Sequence, residues 1–438
     1  MISGATSRPS PRRSSERLEG VERVRVAVVA EWYPSQFDPV HGVWAHRQAL
    51  AARDAGAEVH VLVLRRPVPP LSVLRRGELR RWLANARATL RSTTIDGLAV
   101  EAVPLVAPPR PWSYGAWGYW AAPSLALALT QLWRRWPFQV IHAHSLVPTG
   151  FATSWWRRRA RTARVPAVVA STHGPDIIYV HRRSGLACSA TAATLREVEL
   201  VLANSTWAAE RSQQLADRPI QTRVIHFGAD FPAARQRRHE RVTLVTVAHL
   251  QSRKRHAVVL HAMAEIAPEL RPNYVIIGDG PGREPLKALA DRLGLRDKVR
   301  FLAQLPHSEA LSEAWRCHLY VMPSVEEPFG VAYIEAMAGG LPAVGSRGEG
   351  GPEDIAGAGD GMLLVEPDDH RALARLLEAT IADPGRLSAL GQAARSTVEQ
   401  NFTWRHCGTA TVDAYRAALE IAATRCPTRP RAEIGHAP

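Results

Sequence analysis

Lysine is nearly absent from this chain: Lys254, Lys287 and Lys298 are the only three among 55 basic residues, and the rest are arginines. Cysteine is as scarce. Cys188, Cys317, Cys407 and Cys426 stand far apart with no Cys-x-x-Cys spacing, which argues against a zinc site and a disulfide framework and points to a reducing cytoplasm. Long apolar runs are missing too. The longest uncharged stretch, Trp112 to Trp133, is interrupted by Gly115, Gly118 and Pro123 and dotted with polar residues, so no membrane-spanning helix is expected. Nor does an Asp-x-Asp pair stand at a strand end as a metal site.

What is present is enough for two cores. At 438 residues and 48.1 kDa, with 46% apolar and 22% charged residues, the chain exceeds what one hydrophobic core usually organises. Residues 1–20 are rich in Ser, Pro and Arg with no apolar run and read as a solvated tail rather than a signal peptide; residues 425–438 read the same way. The formal charge of +14 suits an anionic partner: nucleic acid, anionic lipid or a phosphorylated substrate. A generally basic surface without a dedicated partner would show the same charge.

Short β-branched runs alternate with helical stretches along most of the chain. Val24 to Ala30 reads as a buried first strand, and the helix carrying Val43, Ala49 and Leu50 is closed by Gly56 before a second β-rich run. Strands follow at Gln139–Ala143, Ala167–Ser171, Glu199–Ala203 and Gln221–His226. A polar, basic stretch from Ala233 to Arg241 then reads as a linker, after which the alternation resumes at Val242–Ala248. The fold class implied is α/β, with two Rossmann-like domains at residues 21–235 and 240–400, each built on a mostly parallel sheet, and a closing helix at 401–421. Ligands bind such sheets at the strand ends, so the strand-to-helix turns hold the candidate site.

The strongest of these turns runs from Pro323 to Ala336. Glu327 falls in the loop at the strand mouth and Glu335 about a turn inside the helix that opens near Gly330. The free amides of Phe329, Gly330 and Val331 would meet an anion such as a diphosphate. A carboxylate on either side accepts hydrogen bonds from vicinal hydroxyls, whereas an acidic first turn that merely serves the helix dipole would not need both carboxylates and Gly330. A second turn, His249 to Arg255, places Lys254 where a compact charge could reach phosphate oxygens; a solvated basic turn is the alternative. In a third, Ser171 to Asp176, His173 stands where it could bond a sugar hydroxyl, with Gly174 allowing close approach, although a lone loop histidine is often incidental. Weaker turns are Asp38–Gly42, Ile141–His144 and His226–Asp230. Gly278, Gly280 and Gly282 follow a strand in G-x-G-x-G spacing, which departs from the dinucleotide fingerprint and reads as a tight turn.

Together these blocks resemble the family 4 retaining glycosyltransferases of the GT-B fold, in which two Rossmann-like domains face a central cleft, and the resemblance covers roughly Val24 to Leu419. It implies that Glu327 holds the donor sugar, Glu335 the nucleotide ribose, and the amides of Phe329, Gly330 and Val331 the distal phosphate. Lys254 would neutralise the diphosphate, His173 would contact the sugar near its reacting carbon, and Gly42 would let the first helix approach the phosphate. His249 stands where relatives often carry Arg, and Val40-His41-Gly42 where many carry paired glycines. The resemblance further implies a UDP- or GDP-linked sugar as co-substrate, no cofactor and no metal, a glycan or lipid-linked acceptor, and retention of anomeric configuration. No nucleic acid partner is expected. A nucleotide-sugar epimerase of the same architecture, or a non-catalytic basic protein binding membrane or nucleic acid, are the other readings.

The acceptor side is suggested by residues 65–137, where arginine clusters (Arg75, Arg76, Arg80, Arg81) accompany Trp112, Trp117, Trp120, Trp133 and Trp136. Arg and Trp together suit the anionic inner face of a plasma membrane, on which the protein would be peripheral. An ordinary amphipathic helix, Ser124 to Trp136, packed on the first sheet with solvated arginines explains the same pattern.

Overall fold

The computed structural model describes residues 23–425 apart from 37, 70–72, 74–77, 110–112, 161–164, 179–184 and 235. Both terminal segments read above as tails lie largely outside the described residues, as do Arg75, Arg76 and Trp112.

Two sheets organise the chain. The first contains β1 (Arg25–Ala30), β2 (Glu58–Arg65), β3 (Thr93–Ile95), β4 (Leu98–Pro104), β5 (Val140–His144), β6 (Ala167–Thr172), β7 (Leu200–Ala203) and β8 (Thr222–Val224) in the order β3-β4-β2-β1-β5-β6-β7-β8. The second contains β9 (Thr243–Val247), β10 (Asn273–Ile277), β11 (Val299–Leu302), β12 (Leu319–Val321), β13 (Ala343–Ser346) and β14 (Met362–Val365) in the order β11-β10-β9-β12-β13-β14. Every pairing is parallel except β3 with β4. That hairpin turns on Asp96 and Gly97, at φ 46° and 80°, the two successive left-handed residues of a tight hairpin. The Asp-Gly pair announces it in the sequence, but the expectation above contained no strand there.

Parallel sheets need cover on both faces, and β1 shows how the alternation supplies it. Val26, Val28 and Ala30 join one core while Ala27 and Val29 join the other. The first core packs under the helix Val43–Asp54 and the last helix, Trp404–Arg425, the second under the helix Trp117–Arg135. The last helix crosses back to the first sheet. Its Val412, Ala414, Tyr415 and Ala418 are buried, Gln48 Nε2 donates to Thr411 Oγ1 at 3.0 Å, and Arg425 donates to the Val198 carbonyl at 3.2 Å. Burying a large apolar side chain contributes about 1.5–3 kcal/mol, so this helix ties the end of the chain to its beginning.

Within the stretch Ala233–Arg241, Arg238 donates to the carbonyls of Trp315, Cys317, Gly339 and Gly340 and fastens the crossing to the second domain. The tryptophans expected at an interface divide. Trp117 is in the core, Trp133 and Trp136 are partly buried against it, and Trp120 is 51% exposed. The helix that carries Trp117, Trp120 and Trp133 begins at Trp117 rather than Ser124, because Trp117, Ala121 and Ala122 find buried positions that outweigh the interior Pro123. Among the described residues no helix is long and apolar enough to cross a membrane.

Candidate active site

Where the mouths of the two sheets meet, they enclose a cavity of about 360 Å³. His144, His173 and Asn204 line it from the first domain; Lys254, Glu327 and Gly330 line it from the second. Gly174 marks how closely the halves approach. It sits at φ 99°, and a β-carbon there would fall 2.1 Å from Pro328 Cγ. Behind the cavity wall, His226 Nε2 meets Asp354 Oδ2 at 2.9 Å and the His226 ring stacks on Phe329 at 5.4 Å, while Arg47 pairs with Asp230 in the lining of a second cavity.

Strand β12 delivers the acidic turn. Glu326 takes a left-handed conformation at φ 54°, Gly330 caps the helix Val331–Ala338 at φ 76°, and Glu327 between them is 6% exposed. Its carboxylate is bound by the Lys254 ammonium, and Arg253 Nη1 stands 3.7 Å away. Lys254 is thus no solvated turn residue: its side chain is 11% exposed in the turn Ser252–Lys254, and burial lowers its pKa while Glu327 pulls the other way. Opposite charges one contact apart at a helix N-terminus provide a carboxylate for hydroxyls and a cation for phosphate. Phe329, Gly330 and Val331 all line the cavity. Glu349, absent from the candidates above, supports the turn: it accepts the Glu327 amide at 2.7 Å, and burial raises its pKa.

Glu335 lies on the same helix, where its Oε1 meets His307 Nε2 at 2.7 Å. Hydrogen bonding to Glu335 raises the His307 pKa against the opposing effect of burial. A raised histidine stabilises the fold below its unfolded pKa, about 6.5, and the contribution disappears as pH climbs through the higher folded value. His307→Ala is therefore expected to lower the melting temperature in mildly acidic buffer and to converge on the parent at alkaline pH, as calorimetry across that range would read.

His173 is not a lone histidine. It leaves β6 with its amide donating to Asp176 Oδ1 at 3.0 Å, and its ring lies against His144 and Phe227. Burial holds the His173 pKa down to about 3 and raises that of Asp176. His142, also held to about 3 by burial, bonds Tyr415 Oη at 2.8 Å and Ser171 Oγ at 2.7 Å beneath them.

Three candidate residues stand outside the cavity lining: Glu335, His249 and Gly42. His249 is exposed in the turn after β9, its ring against Gly280. Gly42 caps the helix Val43–Asp54 at φ 74°, and the space a β-carbon would need is filled by the Trp32 carbonyl carbon at 2.2 Å. The close approach at Gly42 is therefore made by the chain's own backbone.

The family model described as Glycosyltransferase Family 4 matches residues 41–233, and the one described as Glycosyl transferases group 1 matches residues 229–397. A GDP-mannose-dependent alpha-(1-6)-phosphatidylinositol monomannoside mannosyltransferase of Mycolicibacterium smegmatis is 29% identical over 274 residues, 57% of this chain and 70% of that protein. A D-inositol 3-phosphate glycosyltransferase of Streptomyces avermitilis is 35% identical over 181 residues, and that match spans only 39% of each chain. The structure is similar in fold to sucrose-phosphate synthase of Thermosynechococcus elongatus, with a TM-score of 0.69, 21% identity and coverage of 90% of this chain and 98% of that one.

Proposed function

The chain belongs to the group 1, family 4 glycosyltransferases, and from that premise we propose that it is a retaining, metal-independent enzyme carrying a sugar from a nucleoside diphosphate to a hydroxyl acceptor. The observation that carries this reading is the Lys254–Glu327 pair beside the helix that opens at Gly330, at one wall of a cavity between two domains. Donor binding would redistribute that pair: Lys254 turns to the diphosphate, and Glu327 accepts from hydroxyls of the sugar. The amides of Phe329, Gly330 and Val331 take the distal phosphate, Glu335 takes the ribose through the oxygen His307 leaves open, and His173 faces the sugar.

Chemistry at the anomeric carbon needs a stabilised leaving group more than a base. As the bond to the diphosphate lengthens, Lys254 and the helix N-terminus hold the growing negative charge. The departing phosphate oxygen takes the acceptor's proton while the acceptor oxygen bonds the same face of the sugar, so configuration is retained and the products are glycoside and nucleoside diphosphate. Incubation with UDP-glucose or GDP-mannose and a panel of hydroxyl acceptors, with and without EDTA, tests this. Chelator-insensitive formation of a glycoside with the donor's anomeric coupling in its NMR spectrum is expected. Interconversion of the donor without acceptor would favour an epimerase, and an inverted product would overturn the mechanism.

We further propose a lipid-linked acceptor drawn from an anionic membrane surface on the cytoplasmic side. Tyr119, Trp120 and Leu127 are 45%, 51% and 61% exposed on the helix Trp117–Arg135, which ends in Arg134 and Arg135, and Leu79 and Leu83 are exposed on the Arg-containing helix Leu79–Thr89. Sedimentation with phosphatidylserine-containing vesicles at low salt is expected to carry the protein down, high salt to release it, and Trp120→Ser with Leu127→Ser to cut binding several-fold. A protein left wholly in the supernatant would make a soluble acceptor the better reading.

A further inference from the structure

We propose that His144 is a positioning residue for His173, and that the two imidazoles share one proton so as to present one donor and one acceptor nitrogen, with the Asn204 oxygen beside them, to hydroxyls of the transferred sugar. The proposal rests on the transferase reading and deepens it.

His144 Nδ1 and His173 Nε2 are 3.0 Å apart, and the rings are within 8° of parallel with centroids 5.2 Å apart. The other nitrogen of each ring, His144 Nε2 and His173 Nδ1, is buried without a hydrogen-bond partner, and so is Asn204 Oδ1. All three residues line the cavity. Buried polar atoms are normally satisfied, so three unpartnered ones around a single cavity point to a ligand with several hydroxyls. Burial keeps both imidazoles neutral, the His144 pKa lying well below its usual value.

Neutral rings joined by one hydrogen bond have only two arrangements. If His144 donates from Nδ1, its Nε2 is bare and His173 carries its proton on Nδ1. If His173 donates from Nε2, the proton of His144 moves to Nε2 and His173 Nδ1 is bare. In both, one outward nitrogen donates and the other accepts, and neither ring can change its role without the other. A pair of sugar hydroxyls complements that set, with Asn204 as a further acceptor. The apolar face of a pyranose would meet Trp44 and Phe227, which flank His173 at ring distances of 6.1 and 5.8 Å. His173 without His144 would keep its position but lose the bond that fixes its tautomer.

Calorimetry on the full chain with UDP, UDP-glucose, GDP and GDP-mannose separates sugar from nucleotide. The quantity read is the affinity gained when the sugar is attached to its diphosphate. His144→Phe and Asn204→Ala are each expected to reduce that gain about tenfold while free diphosphate affinity stays within about twofold. His144→Asn, whose amide occupies the place of Nδ1 and still reaches His173, is expected to recover part of the loss. Retention of the parent's gain by His144→Phe, or a gain for His144→Asn no larger than that of His144→Phe, would overturn the proposal. Equal losses for diphosphate and sugar nucleotide would do the same, by showing a general defect of the fold. A parent that transfers sugar while these variants match it sinks only this inference, whereas a parent that binds neither UDP nor GDP sinks the transferase reading as well.

Discussion

Glu327→Ala is expected to reduce kcat/KM by about a hundredfold or more while nucleoside diphosphate binding, read by calorimetry, stays near the parent's. The carboxylate is 6% exposed and lines the cavity, so hydroxyl groups of a bound sugar would meet it directly. Losing a hydrogen bond to a charged group costs about 1.5–3 kcal/mol, and a contact that tightens at the transition state costs more in rate than in binding. The diphosphate should be spared because Lys254 and the amides after Pro328 remain. Glu335→Ala should do the reverse, weakening the nucleotide itself. Equal losses of diphosphate affinity in both variants would refute the division of labour.

Lys254→Ala should be still more damaging to turnover, by about 10²–10³ in kcat, because no other lysine lines the cavity to stabilise the leaving phosphate. Arg253, with its guanidinium 3.7 Å from Glu327, is the nearby cation and is expected to supply part of the residual rate. Stability should report the same pair. Removing either partner leaves the other charge buried, whereas removing both avoids that cost, so Lys254→Met with Glu327→Gln should melt above either single variant. A double variant that melts at the sum of the two single losses would show that the ion pair is not coupled in the resting protein.

These two residues also show how far the chain could be read without coordinates. The turn Pro323 to Gly330 was legible because its signals are local: a β-rich run, a Pro-bounded acidic loop and a glycine at a helix start, which the structure shows in the left-handed conformation. The strands were legible for the same reason, since β-branched runs between turn residues have few alternatives. The β3–β4 hairpin was missed although Asp96-Gly97 signals it, because Thr93–Ile95 is too short to show a period.

The histidines mark the boundary. Ile141-His142-Ala143-His144 alternates as a strand does, which puts both histidines on one face, and their rings stack at 4.3 Å. Nothing local says that His173 joins them. That follows from the parallel register of β5 with β6, which sets His144 opposite Ser171 and leaves His173 two residues further on the same side.

The alternation of short strands and helices, the turn chemistry and the two-domain α/β class were therefore written in the order of residues, because each depends on a handful of neighbours along the chain. The Lys254–Glu327 contact across 73 residues, the occupation of Glu335 by His307, the support from Glu349 and the return of the last helix to the first sheet were decided by folding. Each requires two segments distant in sequence to arrive at one place, and sheet register and domain packing, which no local pattern encodes, bring them there.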